Sequence, residues 1–229
     1  MSPEVLVMML SFVPKQGEIS VQVEFAQPSF LLFSDVLQLG RALWKYLSPL
    51  GMRLPDMKFE GGNISYNEAH VQCFLFSYAA ELNVRPDRID IKSFDTAKQR
   101  DAFAAVSAAT VAARERAADA EFRSCTSVIA MHGQLESSDR KSFLDRFVRE
   151  APVETGKQMS AGIVFYFEPA GKRLASSLTL EPSFTIQDGL FIRSTTIWSL
   201  EGDELTTLAD TDAKYSSDLL ESFNITVKR

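Results

Sequence analysis

"SDVLQLGRALWKYL" (Ser34–Leu47) and "SDRKSFLDRFVRE" (Ser138–Glu150) open on the same dipeptide, each after a strand-like run and each at the start of a helical pattern. Ser and Asp side-chain oxygens accept hydrogen bonds from the free N–H groups of a first helical turn, so both residues favour that place. In the first stretch Val36, Leu39, Leu43, Tyr46 and Leu47 fall on one face at helical spacing, and in the second Phe143, Leu144 and Phe147 do so. What surrounds these two helices decides the fold.

Upstream of Ser34, "VLVMMLSFV" (Val5–Val13) stops at Pro14 and "KQGE" supplies a turn. "ISVQVEF" (Ile19–Phe25) then alternates apolar with polar residues, the period of a half-buried strand. The two runs predict a hairpin. Downstream of Leu47 the helix meets Pro49 and Gly51, and three strand patterns follow in "MKFEGGNISYN", "HVQCFLFSY" and "RIDIKSF". The middle one is almost continuously apolar, which predicts a central strand covered on both faces. Asp95 and Thr96 open a long alanine-rich helix whose stripe runs through Ala102, Phe103, Val106, Ala109, Thr110 and Ala113, and whose charged tail "ARERAADAE" is expected to project into solvent.

A second cycle begins at "FRSCTSVIAMHGQLE" (Phe122–Glu136), a strand, and passes through the Ser138 helix. Three strands follow, "KQMSAGIVFYFEP" with a buried centre, "RLASSLTLEPSF" and "GLFIRSTTIWSL", before a closing helix in "TLADTDAKYSSDLLESFNITV" with Leu219, Leu220 and Phe223 inward. Both cycles read strand, helix, three strands, helix. Two further matches keep that order: "VQCFLF" from Val71 against "GIVFYF" from Gly162, and "DTAK" from Asp95 against "DTDAK" from Asp210. The predicted fold is α+β, an antiparallel sheet with helices on one face, built as a tandem βαβββα pseudo-repeat. The halves fall at residues 1–118, with the N-terminal hairpin strand, and 119–229, packed as one pseudo-symmetric unit. One unit alone leaves an exposed strand edge, and a neighbouring unit that continues the sheet removes it. This order resembles the layout of the TATA-binding-protein-like saddle and of the regulator-effector-binding fold, in topology only; it carries no residues across.

Composition narrows the function. The net charge is −6 and the pI about 5.1, which disfavours a surface made for phosphate backbones. Arg140, Lys141, Arg146 and Arg149 form the clearest basic cluster, but Asp139, Asp145 and Glu150 offset it on the same helix. "VLVMMLSFV" is too short to cross a membrane and lacks a basic flank, so the expected setting is cytoplasmic and soluble. Two cysteines, Cys73 and Cys125, and two histidines, His70 and His132, have no metal-ligand spacing, so no metal and no cofactor are expected. His70 and Cys73 lie three apart on a strand and face opposite sides, so they form no nucleophile pair. "FEGGN" lacks the spacing of a phosphate-binding loop and reads as a turn or bulge.

Two functional readings result. The favoured one is a non-enzymatic binding protein whose groove or sheet face takes a protein partner or a small apolar ligand. No nucleic acid and no membrane are involved, and a homodimer is compatible with the pattern. Its candidate ligand-binding residues are Tyr166, Glu168, Arg193 and Trp198, read as one amphipathic face of neighbouring strands. The alternative is an enzyme with its site between the halves, using His132, at a strand end beside Gly133, with the carboxylate of Glu136.

Overall fold

A computed structural model of the chain describes residues 9–60, 69–118, 120–136, 140–147, 162–200 and 205–228. Among the described residues it is α+β, with one ten-stranded, largely antiparallel sheet and four α-helices. In chain order the elements are β1 (Leu10–Phe25), α1 (Val36–Leu47), β2 (Met57–Glu60), β3 (His70–Leu75), β4 (Ala80–Val84), β5 (Arg88–Ser93) and α2 (Gln99–Arg116). Then come β6 (Phe122–Glu136), α3 (Arg140–Leu144), β7 (Ile163–Phe167), β8 (Arg173–Pro182), β9 (Leu190–Ser199), α4 (Leu205–Ser222) and β10 (Ile225–Val227).

The strands lie in the order β2-β3-β4-β5-β1-β6-β9-β8-β7. Each meander folds back so that its last strand pairs with the strand that opened the cycle, β5 with β1 and β9 with β6. The two opening strands pair with each other along nearly their whole length, through Ile19 opposite Ile129 and Ser20 opposite Val128. The sheet is therefore continuous across the middle of the molecule. The short β10 runs parallel to β1, with Leu10 opposite Ile225.

The expected hairpin is instead a single strand with a β-bulge. β1 runs unbroken past Pro14, and the register with β6 slips between Pro14 and Gln16. A bulge tolerates the missing proline N–H, and the long β6 opposite supplies partners on both sides of it. Gly133 faces Pro14 across this irregularity; a Cβ there would lie 2.3 Å from the Val13 carbonyl oxygen. Residues 5–8 lie outside the described residues.

Asp35 caps α1 as expected, accepting from the Gln38 N–H at 3.0 Å, and Leu39, Leu43 and Leu47 are fully buried. Ser138 and Asp139 lie outside the described residues, so the matched helix starts cannot be compared there. The second match is displaced by one position. Val71, Cys73 and Leu75 point into the core, and on β7 it is Phe165 and Phe167 that pack inward while Val164 and Tyr166 are exposed. By facing, Val71 corresponds to Ile163. The third match separates: Asp95 caps a short 3-10 turn before α2, whereas Asp210 sits in the second turn of α4.

The remaining differences have local causes. β3 is buried on one face only, as are the interior strands β1 and β9, whose alternate residues face away from the core. β7 is last in the strand order and half-buried, not a covered centre. β4 hides in an "AELNV" composition that looks helical, and it follows Phe76, Ser77 and Tyr78, three consecutive residues at positive φ. The charged tail of α2 stops at Arg116, and Ala117 and Ala120 turn back into the core.

All of the α2 stripe residues predicted inward are buried, and α2 packs against α1 on one side and α4 on the other. Small side chains allow that close approach. The principal core is shared by both halves: Ile19, Val21, Leu82, Phe103, Cys125 and Leu208 belong to one contiguous cluster. A second cluster gathers Phe12, Met131, Phe143, Leu190, Ile192 and Leu220 beneath α3 and the end of α4.

Candidate functional site

Between α4 and the sheet lies a partly open cavity of about 460 Å³. Its floor is the helix-facing side of the two inner strands, Ile129 and Met131 from β6 and Ile192 and Ser194 from β9. Ala213, Ser216, Ser217 and Leu220 of α4 roof it, spaced at three, one and three so that one helix face looks down. Thr96, Ala97 and Gln99, from the turn into α2, close one end, and Ile225, Thr226 and Val227 of β10 the other. The charged lining residues, Glu221 and Lys228, are exposed, and Lys228 is engaged by Glu136. The buried walls are apolar apart from Gln99, Ser194 and Ser216.

Two of these polar groups differ in state. Gln99 donates its side-chain amide to Asp212 at 2.9 Å. The Ser194 hydroxyl is buried and has no hydrogen-bond partner among the described residues. Buried polar groups are nearly always paired, so this hydroxyl marks a place where the cavity is incomplete on its own.

Behind the cavity lies a buried carboxylate. Asp212 of α4 is fully inaccessible and receives Gln99 from α2, Ser127 from β6 at 2.7 Å and the Trp198 indole N–H from β9 at 2.8 Å. Burial pushes its carboxyl up from the ordinary value, and the three donors pull the other way. All its partners are neutral donors, so the group ties four elements together without a counter-charge. Beside it Cys125 is buried and its thiol is pushed up by desolvation; burial pushes Cys73 up to about 12.

The opposite face of the sheet carries a broader concavity of about 680 Å³, lined by Lys15, Phe94, His132, Phe191 and Arg193 among others. The His132 ring lies 4.6 Å from that of Phe191, centroid to centroid, and its Nδ1 is 2.9 Å from the Ser183 hydroxyl. Ser183 in turn accepts from the backbone N–H groups of Thr185 and Ile186, so its oxygen is committed to holding a turn.

The candidate residues from sequence are therefore distributed over two faces. Tyr166, 84% exposed, and Arg193 share the open face, two strands apart, with Tyr166 opposite Ser177 and Arg193 opposite Thr179. Glu168 is exposed just past the end of β7. Trp198 is 6% exposed and points to the helix side, five residues from Arg193 and so on the other face of β9. The four do not make one pocket. His132 and Glu136 share a strand, but four residues along a strand separate them by ~13 Å, beyond hydrogen-bond reach. Glu136 pairs with Lys228 instead. His70 lies 3.6 Å from Glu60 and Cys73 is in the core, opposite sides of β3 as expected.

Sequence reading missed the cavity because its lining is contributed a few residues at a time by six separate segments. Only the polar residues Ser194 and Ser216, each at an inward position of an otherwise apolar stripe, carried a signal. Among the described residues no cluster of three or more His, Cys, Asp or Glu side chains is arranged to hold a metal ion, and no helix is long and apolar enough to cross a membrane. The sequence matches no protein-family model and no curated protein.

Proposed function

We propose that the chain is a non-enzymatic, cytoplasmic binding protein that holds a small apolar ligand in the cavity between α4 and the sheet. The observation that carries this reading is the cavity itself. It has ligand-site size, and its buried walls are predominantly aliphatic. An engineered cavity of about 150 Å³ with apolar walls takes up benzene, and this one is roughly three times as large.

The test is uptake of an environment-sensitive apolar dye, together with native mass spectrometry of protein purified from its source for a retained small molecule. Ala213→Trp places an indole in the cavity roof and is expected to abolish dye uptake with the fold intact by circular dichroism. Wild-type protein that neither binds the dye nor retains a molecule would sink the reading.

The competing forms have less support. A protein partner on the open sheet face would use Tyr166, Phe94 and Arg193, which are exposed there. The enzymatic form needs His132 and Glu136 together, and a strand length separates them. We also infer that the fold descends from a tandem βαβββα duplication, supported by the way each meander returns to its own opening strand. The extra strands β2 and β10 then belong to one half each.

A further inference from the structure

We propose that the ligand of this cavity carries a neutral hydrogen-bonding head, an alcohol or an amide, seated against Ser194, on an aliphatic body; this rests on reading the cavity as the ligand site. Ser194 lies on the floor of the sheet, opposite Ile129 on β6 and Leu178 on β8, so its surroundings are hydrocarbon. A hydroxyl that is 4% exposed and unpartnered in such a place forfeits a hydrogen bond that a ligand group can restore. It both donates and accepts, which suits a head that does the same.

A charged head does not fit. The charged side chains that line the cavity, Glu221 and Lys228, are exposed at its rim, and Lys228 is engaged by Glu136. At the inner end the buried Asp212 repels a carboxylate, and its oxygens already take three donors. An ammonium would be stripped of water against Ile129, Ile192 and Met131 without a free partner. On the scale of the roughly 150 Å³ cavity that takes six-carbon benzene, a volume of about 460 Å³ corresponds to about eighteen carbons, so an eight-carbon body fits inside it.

Eight-carbon probes separate head from body: 1-octanol, n-octane (delivered from vapour or a small volume of co-solvent), octanoate and octylammonium, each displacing the apolar dye from the full chain. For Ser194→Ala, octanol affinity is expected to fall roughly three- to tenfold while octane affinity holds or rises. Ser194→Thr, which keeps the hydroxyl, is expected to retain the preference, and both ionic probes to displace the dye least. Equal effects of Ser194→Ala on octanol and octane, or displacement led by octanoate or octylammonium, would overturn the head-group assignment and leave the cavity standing. If none of the four displaces the dye, and Ala213→Trp binds dye as well as wild type, the cavity reading falls with it.

Discussion

The Trp198 indole N–H points at Asp212 Oδ1 across 2.8 Å, and so a strand of the second meander and the last long helix meet at a carboxylate that no solvent reaches. Gln99 and Ser127 reach the other oxygen, from the first half's closing helix and the second half's opening strand. The buried carboxylate thus receives donors from both sides of residue 118.

Asp212→Asn keeps the shape but presents an amide N–H₂ to neighbouring donors. It is expected to destabilise the fold by about 1–3 kcal/mol in urea unfolding at pH 7. The pH dependence has a definite sign. The folded state raises this carboxyl above its unfolded value of 3.8, so it binds the proton more tightly than the unfolded chain does. Wild type therefore gains stability, relative to the Asn variant, as pH falls through the raised value toward 3.8. Melting temperatures of both proteins between pH 7 and pH 4 check this; a gap that narrows on acidification would contradict it.

Gly133 sits opposite Pro14 with no room for a methyl group: its Cβ would lie 2.3 Å from the Val13 carbonyl oxygen and 2.7 Å from the Phe12 ring. Gly133→Ala is expected to cost about 1–3 kcal/mol, as overpacking against backbone does. Gly51→Ala meets open space but a φ of +88°, so any loss there is conformational. Chemical denaturation of the two variants separates packing from backbone strain.

The two thiols should be silent in the native protein. Cys73 and Cys125 are fully buried, and burial holds both thiols above their ordinary value. A thiol-reactive chromophore at pH 8 is expected to label neither residue in the folded chain and both in denaturant. Prompt labelling of folded protein would mean that the core around β3 or β6 opens readily.

Separated halves, residues 1–118 and 119–229, each uncover a long strand, β1 or β6, and split a common core. Neither is expected to be monomeric and folded alone, because unpaired strand edges associate. Co-expression is expected to restore a soluble complex with the circular dichroism of the intact chain. Size-exclusion chromatography of each half and of the pair decides it.

The alternation of Ile19, Val21 and Val23, the inward stripe of α2 and the cap at Asp35 were all legible in sequence, because each depends on neighbours within a turn or a strand. β4 was not, since Ala80, Glu81 and Leu82 have helical composition and become a strand only by pairing with β3 and β5. Pro14 read as a chain reversal because a bulge needs knowledge of the opposite strand. The site failed for a related reason. Arg193 and Trp198 both belong to β9, yet their odd separation sends one to solvent and the other to Asp212. Ser194 looked like an ordinary strand serine until Ile129, Leu178 and α4 were seen to surround it.

The pairing of Leu10 with Ile225 also bears on synthesis. β1 is the hub of the sheet, bordered by β6 on one side and by β5 and then β10 on the other. At ribosomal rates of 5–20 residues per second, the roughly two hundred residues between those partners take about 10–40 s to appear. Through that interval the sheet's central strand is made but only partly clothed. A nascent chain of this design has the strongest need of shelter at the strand that will end up in the middle of its sheet.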